Sequence, residues 1–293
     1  MTYLLELIFM GTILGSLYGL IGMGFTIIYK STKTVNLAQG EMLTFLTFLC
    51  YCFCVQLALP FWLAVFLTLC CAFLLGLLME LLFLRPMVGQ PLLSVIMMTI
   101  GLSSLLHALV LAVWGPLPHS FPQIISNKPF YLLGTNLSRL GVFSLFVTIV
   151  FLMLFACFFR MTKAGLSMRA TADSQLTAMS LGVRVNRVFG TAWGLSALTA
   201  SLGGIIMGSL FGIDYMLGMM GLKAFPAIIL GGLDSIPGAI AGGVIIGITE
   251  NLAGGYLGKY VVGIRDIAPY LVMLIVLMIR PYGIWGSRKI ERI

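Results

Sequence analysis

Six apolar runs, at 4–28, 42–59, 61–84, 92–113, 140–159 and 188–213, each have about the length a helix needs to cross a bilayer, roughly 20 residues. No other feature limits the fold so tightly. A backbone in lipid must satisfy its own hydrogen bonds, and a helix does so locally. A further run, 267–279, is short and reaches full length only if 260–266 joins it, with Arg265 and Asp266 at the interface. Ahead of it lies 222–254, where two apolar pieces, 224–233 and 238–249, are interrupted at 234–237. Each piece is about half a span. Of the 293 residues 60% are hydrophobic and only 9% charged, with a mean hydropathy of +1.10, whereas soluble domains carry about 25% charged residues. No stretch is polar enough to form a soluble domain. The expected fold is all-α: one transmembrane domain over 1–293, a polytopic helix bundle of about seven full spans plus a broken or re-entrant helical hairpin at 222–254. The first run lacks a basic leader and carries Glu6, so it reads as a retained span and not a cleaved signal.

A net charge of +8 raises nucleic acid as a partner. The 17 Lys and Arg residues sit almost entirely between apolar runs, where cations fix orientation against membrane lipid; no nucleic-acid binding is expected. The loop 160–187 holds Arg160, Lys163, Arg169, Arg184 and Arg187, and the tail holds Arg280, Arg288, Lys289 and Arg292. With both inside, counting back through the spans puts Lys30, Lys33 and Arg85 inside as well. Four bases fall outside, Lys128, Arg139, Lys259 and Arg265, with Lys223 unassigned. The N-terminus then faces out, and the hairpin returns to the outer side.

Catalytic motifs are missing: there is no His-Glu-x-x-His, no Gly-x-Ser-x-Gly and no acid pair placed for hydrolysis. His107 and His119 are isolated, and His107, within an apolar run, reads as a hydrogen-bonded interior residue. Cys50, Cys52, Cys54, Cys70, Cys71 and Cys157 all lie in apolar runs, where they act as small hydrophobes; none has metal-site spacing. Gly258-Lys259 comes nearest to a phosphate loop, but Ala253 stands where its first Gly belongs and Tyr260 where Ser or Thr belongs. The chain is therefore expected to be no enzyme, to bind no metal or cofactor, and to leave any ATP-driven work to a separate subunit.

Two segments bear on a polar pathway. In Asn36-Leu-Ala-Gln-Gly-Glu41, amide and ionisable groups near membrane depth are costly and tend to be functional. Dipping into the bilayer, Asn36, Gln39 and Glu41 would line a pathway, with Gly40 permitting an irregular backbone. A solvated cytoplasmic turn, with Glu41 favouring a helix N-terminus, is the other reading. In the hairpin, Gly231, Gly232, Asp234, Pro237 and Gly238 form a break whose half-helix ends and unpaired carbonyls would hold polar groups, with Glu250 and Asn251 closing the second half. A plain interfacial turn is the alternative. Elsewhere, glycines repeat every four residues, at Gly11, Gly15 and Gly19, at Gly204, Gly208 and Gly212, and in the pairs Gly238/Gly242 and Gly243/Gly247. Such spacing lets helices approach closely in lipid. The outer loop 114–139, with four prolines, is a lid, a docking surface or a connector.

In the inner loop 160–187, Ala172, Leu176, Met179 and Val183 fall on one helical stripe, with Asp173 early and Gly182 as a C-terminal stop. A short amphipathic helix here would insert into a groove on another protein or lie on the lipid surface.

At this loop the sequence becomes recognisable. Thr162-x-x-Gly165, Arg169-Ala170-x-x-Asp173 and Ala178-x-x-x-Gly182 resemble the coupling loop of ABC importer permeases of the branched-chain amino acid (leucine/isoleucine/valine) family. Asn36 to Glu41 is similar to that family's Asn-Phe-Ala-His-Gly-Glu signature, with Gln39 for His and Leu37 for Phe. Gly221-Leu-Lys-Ala-Phe225, Gly231-Gly232, Ser235-Ile-Pro-Gly238-Ala239 and Arg280-Pro-Tyr-Gly283-Ile-Trp-Gly286 resemble its late blocks, in order. The pattern resembles the shorter, H-type member of the permease pair. The resemblance implies alternating access in the bacterial cytoplasmic (inner) membrane, through a pore shared with a homologous second permease subunit. An external (periplasmic) substrate-binding protein would deliver branched-chain or other small amino acids, and two cytoplasmic ABC ATPase subunits would use the ATP. The loop that includes Thr162 and Gly165 would act as the coupling helix; Arg169 and Asp173 would orient it, and Ala170, Ala178 and Gly182 would leave room for docking. Related permeases carry urea or short amides, and the substitutions at 37 and 39 keep those cargos open. An ion-coupled secondary transporter would need an acid deep within a span, and neither Glu6 nor Glu80 is so placed.

Overall fold

The computed structural model describes residues 2–122, 129–132 and 135–286. Its helices are α1 Thr2–Thr32, α2 Gln39–Tyr51 with a π-helical turn Cys52–Gln56, and α3 Phe61–Met79, which runs on through a π turn Glu80–Leu84 and a 3₁₀ turn Arg85–Met87. Then come α4 Leu92–Trp114, α5 Arg139–Met161, α6 Lys163–Asp173, α7 Gln175–Ser180 and α8 Val185–Phe211. The last four are α9 Leu217–Leu222, α10 Ala224–Gly231, α11 Ile236–Leu257 and α12 Ile264–Ile279. Between α4 and α5 a small antiparallel hairpin pairs β1, Pro129–Leu132, with β2, Thr135–Ser138. Lys128, Arg288, Lys289 and Arg292, which enter the charge argument, lie outside the described residues.

Among the described residues six helices are long and apolar enough to cross a membrane: α1, Phe61–Met87, α4, α5, α8 and α11. The chain is a multi-pass helical membrane protein. The break in the hairpin is present, but its second limb is longer than the half span expected. α11 has 22 residues, about 33 Å at 1.5 Å per residue, long enough for a full crossing. The sequence reading stopped at Glu250 and Asn251 because uncompensated polar groups do not continue into lipid. Here they are compensated: Asn251 donates to its own helix at Gly247 O, 3.0 Å, and Glu250 is held as described below.

The chain forms two compact units, one from Met1–Thr26, Ile125–Leu152 and Lys223–Ile293, the other from Ile27–Ile124 and Met153–Leu222. In the first, α1 and α11 run antiparallel in direct backbone contact. A Cβ on Gly11 would lie 2.6 Å from Ile248 Cα, and one on Gly15 2.6 Å from Gly243 O. The four-residue glycine spacing thus does what lipid-embedded packing requires. In the second, α8 lies parallel to α2 and antiparallel to α3. A Cβ on Gly204 would lie 2.8 Å from Leu43 O, and one on Gly76 2.7 Å from Gly194 Cα.

Candidate functional site

The segment 36–41 opens α2 and is closed to water at its polar centre. Asn36 and Gln39 have no exposed surface. Asn36 Nδ2 donates to Gln39 Oε1 at 3.3 Å, and its Oδ1 accepts from the Ala38 N–H at 3.0 Å. Gln39 Nε2 donates to Ser196 O at 3.1 Å, and the Ser196 hydroxyl donates back to Gln39 Oε1 at 2.8 Å. Two amides thus satisfy each other and one serine of α8, as buried amides must. This geometry departs from a solvated turn: Gln39 is bonded to α8 and Asn36 is bonded to Gln39. Gly40 is helical, not irregular. It is small because α9 crosses there, where its Cβ would collide with Gly218 O.

Glu41 is the polar member of the segment with access to solvent. Its side chain is 16% exposed and lies 3.2 Å from His107 Nδ1 on α4, which is 39% exposed. A Cβ on Gly218 would come within 2.7 Å of Glu41 Oε1, so α9 packs against the carboxylate. His107 read as an interior residue from its apolar run. Nothing in the local sequence paired it with Glu41, 66 positions away.

The break at 231–238 is filled by the chain itself. Ser235 caps α11 by accepting from the Gly238 N–H at 3.1 Å, and Pro237 sits in the first turn, where its missing N–H is not needed. Gly231 and Gly238 meet backbone to backbone, and Gly232 leaves α10 at φ +105°. The carbonyls of Leu230 and Gly231 accept from the N–H groups of Ile284 and Trp285 at 2.9 and 3.0 Å. The Arg280–Gly286 motif therefore caps α10 and occupies the carbonyls that the sequence reading left for cargo. Asp234 is half-buried and Pro237 exposed.

Sequence reasoning missed an ionic cluster in the same unit. Glu250, 2% exposed, accepts from the Tyr18 hydroxyl at 2.8 Å, from Arg265 Nε at 3.2 Å and from Lys223 Nζ at 3.3 Å. Lys223 also pairs with Asp266 at 2.5 Å. Lys223, unassigned by the charge count, thus links the start of α10 to α11 and α12. A carboxylate stripped of water costs several kcal/mol unless it is surrounded in this way.

The loop 160–187 is two helices, not one. Thr162 Oγ1 caps α6 by accepting from the Gly165 N–H at 3.1 Å, and Ser174, extended at φ −154°, caps α7 by accepting from the Thr177 N–H at 3.2 Å. Serine favours caps over helix interiors, so the stripe breaks at 174. Asp173 ends α6 instead of starting a helix. Met168, Ala172 and Ala178 turn inward, while Leu176, Met179 and Leu181 are 80%, 57% and 78% exposed. Gly165 is small because it lies against the Phe159 backbone. Arg169 Nη2 donates to Arg160 O at the end of α5, 3.4 Å. Gly182 is the expected stop: at φ +82° it closes α7 with its N–H on Met179 O and the Val183 N–H on Ala178 O, the paired C-terminal cap that favours glycine. At that φ a Cβ is strained whatever the space around it, so the conformation of the turn by itself favours glycine.

Residues 7–279 match the family described as branched-chain amino acid transport system / permease component. The Escherichia coli strain K12 high-affinity branched-chain amino acid transport system permease protein LivH is 28% identical over 99% of this chain and 98% of its own length. The corresponding Pseudomonas aeruginosa protein, BraD, is 26% identical over 97% and 96%. A protein of Methanocaldococcus jannaschii described as a probable branched-chain amino acid transport permease, LivH, is 29% identical over 96% and 93%. Among solved structures, PsaBC from Streptococcus pneumoniae in complex with Fab aligns over 96% of this chain and 93% of that one, with a TM-score of 0.52 and 15% identity, a likeness of fold. With its helical membrane architecture and a family match running from α1 to the end of α12, this chain belongs to the branched-chain amino acid transport permease family.

Proposed function

We propose that the chain is a transmembrane permease subunit of an ATP-driven importer of branched-chain or other small amino acids in the bacterial cytoplasmic membrane. It forms half of a translocation pore with a homologous permease subunit. An external binding protein delivers the cargo, and two cytoplasmic ABC ATPases drive the cycle. The observation that carries this reading is the α6–α7 loop: both helices are side-chain capped, and α7 holds Leu176, Met179 and Leu181 out from the protein. An apolar helix face of this kind suits a groove on a partner. Thr162, Gly165, Arg169 and Ala178 build the loop, Ala170 and Asp173 lie on α6, and Gly182 ends α7. On the cargo side, Glu41 with His107 is the polar pair with access, and Asn36, Gln39 and Gly40 hold the start of α2 in place.

The test is a reconstituted complex with leucine as cargo. Leu176→Asp is expected to lower substrate-stimulated ATP hydrolysis and uptake by about tenfold or more while the chain still inserts. Normal stimulation in that variant contradicts the docking role. Leu176 serves better than Gly182, where any side chain strains the turn.

A further inference from the structure

Within the proposed function, on which this step rests, we propose that Glu41 is the residue that tells amino acids from urea and neutral amides. Its carboxylate receives the ammonium group of the cargo.

Glu41 meets His107 about 22 Å along α4 and about 10 Å short of its end, at 1.5 Å per residue. The pair therefore sits within the span and not at its edge. An ionisable group at that depth is costly against lipid, and such groups face polar passages and carry function. The two fully buried acids are held by fixed cations, Glu80 by Arg85 at 2.8 Å and Glu250 by Lys223 and Arg265 at 3.3 and 3.2 Å. Glu41 differs. Among the described residues no lysine or arginine pairs with it, and His107 is its ionic partner. Unlike a guanidinium, an imidazole gives up its charge near neutral pH. With its proton on Nδ1, the neutral ring donates to Oε2 at 3.2 Å, and the pair keeps one negative charge. Oε1 accepts no hydrogen bond among the described residues.

The surroundings narrow the ligand. One carboxylate and one imidazole are too few to hold a metal ion, and the described residues contain no group of three such ligands. Urea or a neutral amide would call for amide partners, yet Asn36 and Gln39 are bonded to each other, Gln39 also to Ser196, and neither has exposed surface. A primary ammonium has donors and no acceptor, which suits an anionic acceptor with one oxygen free. The Tyr215 ring lies 6.0 Å from the His107 ring, centre to centre, and adds an aromatic wall beside the polar pair. Glu41, His107 and Tyr215 belong to one compact unit.

The test compares three probes that share one apolar body: leucine, leucinamide, and isocaproamide, which lacks the ammonium. Binding to the purified full chain in lipid nanodiscs is followed by saturation-transfer NMR of the probes. Glu41→Gln keeps the size of the side chain and removes its charge. It is expected to weaken leucine and leucinamide by about tenfold or more and to leave isocaproamide as it is in the wild type. Equal weakening of all three, weakening of none, or no saturable binding of leucine and leucinamide to the wild type overturns the proposal. Glu41→Asp, which keeps the charge on a shorter stem, is expected to bind leucinamide more tightly than Glu41→Gln; an equal or reversed order overturns it as well. Leucine uptake by the reconstituted complex is measured alongside. If the transporter reading itself is wrong, uptake by the wild-type complex stays at background, while the probe comparison still decides what Glu41 binds.

Discussion

The Gln39 centre of one unit is uncharged, whereas the Glu250 centre of the other gathers two acids and two bases, although both lie on helices buried in an apolar chain. Neutral amides cost little to desolvate once paired, so Asn36, Gln39 and Ser196 suffice. A carboxylate at the same depth costs far more, and Glu250 draws Tyr18, Lys223 and Arg265 around it. The neutral centre fixes one helix start against one neighbour. The charged centre ties four segments together, so losing one member strands others.

That contrast sets the order of expected effects. Glu250→Ala removes the shared acceptor of two cations and is expected to cost about 3 kcal/mol, seen as a fall in thermal midpoint of the purified chain in detergent. Gln39→Leu leaves the Ser196 hydroxyl and the Asn36 amide short of a partner and is expected to cost about 2 kcal/mol in the same melt. Tyr18→Phe deletes one hydrogen bond to a carboxylate that keeps both cations, for about 1 kcal/mol. If Gln39→Leu proves more damaging than Glu250→Ala, the charged centre is not the stronger tie. A double variant sharpens the point: Tyr18→Phe combined with Glu250→Ala should lose no more than Glu250→Ala alone, because the hydroxyl acts through that carboxylate.

The two centres also differ in how readable they were. Two members of the neutral one, Asn36 and Gln39, lie within six consecutive residues whose polar composition between spans makes them visible, while Ser196, on α8, has no local link to them. The ionic one is assembled from positions 18, 223, 250, 265 and 266, which no local pattern links. The same rule explains the other outcomes. Apolar runs located five of the six long helices because their signal is local, whereas the run 42–59 forms the shorter α2 and a π turn. The length of α11 escaped because it depends on distant partners for Glu250. Ser174 was overlooked as a helix break because the apolar stripe ran through it, although its cap is a local feature. The role of Arg280–Gly286 in capping α10 was out of reach, since it joins segments some fifty residues apart. Gly40 was noticed for flexibility, yet it serves close contact with α9, a tertiary fact.

The account depends on α7 facing the cytoplasm, and one labelling experiment addresses that directly. Leu176→Cys, at a position 80% exposed, is treated with a membrane-impermeant maleimide in intact spheroplasts and in inverted membrane vesicles, alongside the unsubstituted chain with its six native cysteines. The account predicts added labelling in the inverted vesicles and none in the spheroplasts. Added labelling in the spheroplasts, with none in the vesicles, would contradict it.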